Sequence, residues 1–128
     1  MASIADVVAY LCSAYPHKSE LSKARLTKLV YLADWEHVKN YGSQITPIRW
    51  YFHNFGPYVD DVVKAAGADE RFEVIATRNI YGDFKQLISL RGDSVKVECI
   101  SVREMEFIDT DIQKTRPMYW NDFIRHVY

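Results

Sequence analysis

The sequence predicts an α+β fold: a compact bundle of about five helices with a small three-stranded antiparallel sheet. Three observations carry that expectation. Apolar residues recur at helical spacing before Glu70 and again after Ser101. Between those two blocks the pattern turns β-branched and alternating, through FEVIATR, FKQLISL and SVKVECI. Cap and turn residues stand at the joints, among them Ser3, Gly42, Pro57 and Ser101. A chain of 128 residues is expected to form one domain over 1–128 with one core, without metal or disulfide staples.

The elements follow in order. Ser3 with Asp6 suits a helix start, and Ile4, Val7, Val8, Leu11 and Tyr15 continue at helical spacing until Pro16. His17 to Leu21 is a short polar connector. A second helix runs from about Ser22 to Tyr41, with Gly42 as a residue free to take positive φ. Residues 43–50 connect, and VDDVVKAA begins a third, short helix directly after Pro57, a good first-turn residue. Three strands should follow, joined at Tyr-Gly-Asp and Arg-Gly-Asp as a meander. Ser101 with Glu104 has capping-box spacing for a fourth helix carrying Met105, Ile108 and Ile112. After Pro117 a last helix presents Trp120, Phe123, Ile124 and Val127.

Composition excludes several classes. Charged residues make up 26% and the net charge is −1, so no basic footprint for nucleic acid exists. No apolar run approaches the roughly 20 residues of a membrane span, and MASIADVV has no charged leader or cleavage signal. Cys12 and Cys99 lie in apolar patterns without C-x-x-C spacing and read as reduced core thiols of a cytosolic protein. No cofactor motif is present. Aromatic residues reach 14%, enough to leave some rings at the surface, where Tyr and Trp favour protein contacts.

Two segments concentrate the functional interest. In the second helix, Leu26, Leu29, Val30, Ala33 and His37 share one narrow arc at about 100° per residue, a core face. Tyr31, Leu32 and Trp35 lie opposite, flanked by Lys28 and Lys39. Either other elements pack on both sides, or Tyr31 and Trp35 anchor a partner. The second segment, WYFHNFGPYVDD, crowds aromatics around Gly56-Pro57. That dipeptide is expected to deliver Phe55 and Tyr58 to opposite sides of a sharp corner and to launch the third helix. Trp50, Tyr51, His53, Phe55 and Tyr58 would then rim the Tyr31/Trp35 face. The candidate partner-binding residues are Tyr31, Trp35, Tyr51, Phe55 and Tyr58.

Catalysis finds little support. Asp34, Glu36, His37, His53, Asp60 and Asp61 are the available groups, but Glu36-His37 has no second His in reach on its helix. His37 reads as a core histidine, with the Gly-Pro turn as a candidate hydrogen-bond partner. No catalytic nucleophile motif or phosphate-binding glycine loop appears. Amide substitution of Asp34, Glu36, Asp60 or Asp61 is expected to leave a folded protein.

L-T-K-L-V-Y-L-A-D-W-E-H at 26–37, I-T-P at 45–47 and F-G-P-Y-V at 55–59 together resemble the Panacea domain family, also called SocA-like or DUF4065. The resemblance covers roughly residues 5–128. Its motif positions are Lys28, Leu29, Tyr31, Ala33, His37, Gly56 and Pro57. It implies an antitoxin of a bacterial or phage toxin–antitoxin pair, a non-enzyme that binds a cognate protein toxin. One branch of the family resembles adaptors that hand a toxin to a protease, and self-association stays open; a metal-dependent hydrolase is the remaining alternative. Members often continue past the position of Tyr128 and many carry an added N-terminal domain. This sequence begins directly with its first helix, so no DNA-binding role is expected.

Overall fold

The computed structural model describes residues 2–18, 21–53, 56–78, 81–82, 84–92, 97, 100–118, 122 and 125, without the side chains of 52–58. Among them are four helices, α1 (Ile4–Ala14), α2 (Lys23–Tyr41), α3 (Asp61–Gly67) and α4 (Val102–Thr115). Two hairpins interleave with them: β1 (Tyr51–His53) with β2 (Gly56–Tyr58), and β3 (Phe72–Arg78) with β4 (Phe84–Leu90). The class is α+β, as the periodicities imply. The expected third strand of the meander and the last helix fall largely outside the described residues.

Each helix is stopped and started by the chemistry of its ends. Ser3 Oγ accepts from the Asp6 N–H and donates to the Asp6 carboxylate, opening α1. At its other end the Lys18 ammonium donates to the carbonyls of Cys12, Ser13 and Tyr15, satisfying acceptors that the helix leaves free. Ser22 caps α2 by accepting from the Arg25 N–H, and Gly42 ends it at φ 76°, a left-handed conformation that a side chain would oppose. Ser101 and Glu104 form the reciprocal capping box that opens α4.

α2 is the central helix, touching α1, α3, α4, β2 and β4. Leu26, Leu29 and Val30 have no exposed surface, and Ala33 and His37 are buried beside them. Val7, Val8 and Leu11 of α1, Val62 of α3, Phe72 and Ile88 of the longer hairpin, and Ile108 and Ile112 of α4 complete the core. Cys12 is a buried free thiol whose pKa burial pushes up to about 12, with Lys18 pulling the other way.

The longer hairpin is anchored at one end. Its register runs from Phe72 opposite Leu90 to Arg78 opposite Phe84, with Gly82 at φ 83° in the connection. A bridge between Ser22 and Leu87, and a bond from the Ile88 N–H to the Leu21 carbonyl, tie β4 to the start of α2. Arg71 reaches from the foot of β3 to Asp6 in α1 and to Asp69, at 2.8 Å each.

The segment around Gly56-Pro57 departs from expectation. Gly56 and Pro57 are strand residues, opposite His53 and Phe52, rather than a corner that launches a helix. Pro57 brings no N–H to the ladder, which a two-stranded pair tolerates because each strand is an edge. α3 starts later, at Asp61, with Asp60 as its N-cap residue and without a side-chain cap bond.

Candidate functional site

The outer side of α2 is built around Asp34. Its carboxylate accepts four hydrogen bonds from the returning connector: Ile45 N–H at 3.0 Å, Thr46 N–H at 2.9 Å, Thr46 Oγ1 at 2.6 Å and Trp50 Nε1 at 2.9 Å. Burial pushes the Asp34 pKa up, and the bonds from Thr46, Trp50 and Ile45 pull it back. Asp34 therefore fixes the path of residues 45–50 along the helix and is a clamp rather than a free acid. An amide there would turn an N–H₂ toward donors, so Asp34→Asn should loosen the connector.

The clamp positions the aromatic face. Trp50, held at its indole nitrogen, meets the Tyr31 ring edge-to-face, with centroids 5.3 Å apart at 79°. Tyr31 is consequently half-buried, a residue shared between packing and surface. One turn along, Trp35 keeps 48% of its surface exposed, and Tyr51, next to Trp50 in β1, keeps 64%. Tyr51 pairs with Tyr58 across the short hairpin. The side chains of Phe55, Tyr58 and His53 lie outside the described residues. Leu32, grouped with this face by helical spacing, is buried.

A groove between α2 and α3 is lined by Lys23, Ala24, Thr27, Lys28, Val59, Asp60 and Val63. Lys28 is half-buried, and the loss of water around its ammonium lowers its pKa. Glu36 pairs with Lys39 at 3.2 Å on the solvent side of the helix. The family resemblance singled out Lys28 as a motif position; the groove needs α3 folded against α2.

On the inner side His37 is a core residue, but its partner is not the Gly-Pro turn. Nδ1 lies 2.6 Å from the carbonyl of Ser43, just past the end of the helix. Its ring packs on Tyr41 and Phe107, with centroids 5.2 and 5.3 Å away. Nε2 is buried without a hydrogen bond, as is Oδ2 of Asp111 in α4. Among the described residues, no group of three His, Cys, Asp or Glu side chains is arranged to hold a metal ion. No helix among them is long and apolar enough to cross a membrane.

The sequence model of the family described as antitoxin SocA-like, Panacea domain, matches residues 26–128. The chain belongs to that family. The match takes in α2 from Leu26, both hairpins, α3 and α4, and so contains the clamp and the aromatic face. α1 precedes the matched span, although the motif reading extended the resemblance to about residue 5. Of the Panacea motif positions, Leu29, Ala33 and His37 are core, Lys28 and Tyr31 are half-buried, and Gly56 and Pro57 form β2. Trp50 was read as part of the aromatic rim, but Asp34, which anchors it, was weighed only as a catalytic acid. The I-T-P that follows the helix was the available signal, since Thr46 supplies two of the four donors. No curated protein and no solved structure matches the chain.

Proposed function

We propose that this Panacea-family chain is an antitoxin that neutralises a cognate protein toxin by direct, stoichiometric binding through the outer face of α2 and the neighbouring short hairpin. Family membership supports the toxin–antitoxin role. The observation that supports the surface is the exposure of Trp35, one helical turn from Tyr31, and of Tyr51, next in sequence to Trp50, with Tyr31 and Trp50 packed on each other. Rings with polar tips, held in place before binding, offset the several kcal/mol of rigid-body freedom that association costs. Tyr31, Trp35, Tyr51, Phe55 and Tyr58 are the contact residues in this reading, with Lys28 and Lys23 in the adjoining groove available to an acidic side chain of the partner.

The mechanism is occlusion without turnover. Asp34, the most obvious acid on the helix, is fully occupied by donors from its own chain and is not offered to a substrate. Titrating the product of the adjacent reading frame with the purified protein should give saturable binding at a fixed ratio, and inhibition should stop at that ratio. Sub-stoichiometric protein that eventually silences all of the toxin would point to a catalytic mode and sink this reading.

A further inference from the structure

Helical spacing puts Ala24, Lys28, Tyr31 and Trp35 on one stripe of α2, within an arc of about 60° at about 100° per residue. Tyr31 and Trp35 carry the aromatic face. Ala24 and Lys28 line the groove between α2 and α3, together with Thr27, Val59 and Val63. Groove and aromatic face are therefore successive parts of one helix surface. A partner lying along the stripe meets both.

Charge along α2 is distributed against the usual order. The exposed Lys39 has a carboxylate, that of Glu36 at 3.2 Å. Lys28 is half-buried, yet no hydrogen bond or ion pair joins its ammonium to another described residue. Lys23, the second lysine of the lining, is exposed and likewise unpaired among the described residues. Asp60 is the one acid of the lining, and it is already engaged. The loss of water lowers the Lys28 pKa, with no carboxylate raising it. A half-buried cation without a counter-charge costs the folded chain stability, and a carboxylate brought from outside would offset that cost.

Size decides the class of occupant. The open space in the groove is about 60 Å³. Small-molecule and cofactor sites run to roughly 300–1,000 Å³, so the groove is too small for either. It has room for the end of one side chain. Ala24, Val59 and Val63 offer methyl groups to the methylenes of such a chain, and the lysines offer charge to its tip. Aspartate and glutamate bring both parts. A phosphate brings no apolar stem, and no arginine lines the groove to grip one with a guanidinium fork.

We infer that the α2–α3 groove seats one aspartate or glutamate side chain of the toxin, with Lys28 as its counter-charge. The inference rests on the antitoxin reading above and states what the partner must bring to it. Its carboxylate has to stand roughly 5 Å along the helix axis from the contact with Tyr31, and roughly 10 Å from that with Trp35, at 1.5 Å of rise per residue. The same seat discriminates. A protein with lysine or arginine at that point meets like charge where water is already partly excluded, and is rejected.

The experiment uses the whole chain, with the purified product of the adjacent reading frame as the probe. Lys28→Met keeps an aliphatic stem in the groove and removes the charge. It should melt no lower than the parent and bind the toxin about 10- to 100-fold more weakly, the range of a charge-assisted bond at a partly buried site. Lys23→Met, at an exposed position, should lose about threefold or less. Neutralising the toxin's acids singly should find one whose loss is not additive with Lys28→Met. Unchanged affinity in Lys28→Met, or equal losses for the two lysines, would overturn the seat while leaving stoichiometric neutralisation intact. A parent protein that does not bind the toxin would overturn both. Should Lys28→Met not fold, acetic anhydride labelling of the native chain decides: Lys28 should lose its labelling in the complex and Lys114 of α4 should keep it. Equal labelling of Lys28 with and without toxin would overturn the seat.

Discussion

Asp34 of α2 and Asp111 of α4 are both buried carboxylates, at 2% and 3% exposure, yet their surroundings are opposite. Asp34 collects four donors from a single returning stretch of chain. Asp111 leaves one oxygen without any. Burial alone therefore says little about what an acid contributes; the donors delivered to it decide. Where they are supplied, the carboxylate fastens two segments. Where they are withheld, burial and the Glu36 charge push the carboxyl up to about 8, against the pull of Lys114.

The largest expected effect calibrates that comparison on apolar packing. Leu29→Ala, at a site with no exposed surface, should cost on the order of 2–5 kcal/mol in urea unfolding. Unchanged stability would remove α2 from the centre of the fold. The next test applies one substitution to both acids. Asp34→Asn should cost about 1–3 kcal/mol, because donors lose an acceptor and meet an amide. Trp50, released from its anchor, should then show altered fluorescence.

Asp111→Asn should run the other way. Above pH 8 the variant should be more stable than the parent, since it lacks the buried charge, and near pH 5 the two should unfold at nearly the same denaturant concentration. Equal losses from the two asparagine variants at pH 9 would erase the distinction between the acids. The smallest effect belongs to the exposed rings. Trp35→Ala and Tyr51→Ala should shift stability by less than about 0.5 kcal/mol while weakening toxin binding. If both bind at full strength, the contact surface lies elsewhere, and the exposed Val74, Ile75 and Phe84 of the longer hairpin are the next candidates.

How much of this the sequence revealed depended on range. Caps act within four residues, so Ser3, Ser22, Gly42 and Ser101 were legible, and the observed helix ends follow them. The core arc of α2 was legible because helical period and burial coincide at Leu29, Val30, Ala33 and His37. The short hairpin was not, because Gly-Pro is strong local punctuation and three-residue strands are too short to show alternation. Asp34 escaped for a different reason. Its partners lie 11 to 16 residues away, and no periodicity links a helical acid to the backbone of the loop that folds back over it. The His37 partner was misplaced in the same way: the chain turns at Gly42 and offers Ser43 first.

One feature of α1 bears on how the molecule can be handled. The helix stands ahead of the matched span, but its Val7, Val8 and Leu11 have no exposed surface, and Asp6 anchors Arg71 at the foot of the longer hairpin. A polypeptide started at Leu26 would keep the family's span and bare the surfaces of α2, α3 and β4 that α1 covers. Such apolar ground, offered by neighbouring molecules to one another, would drive them to aggregate and reach the insoluble fraction. The stretch by which relatives are recognised is thus shorter than the stretch that closes this core.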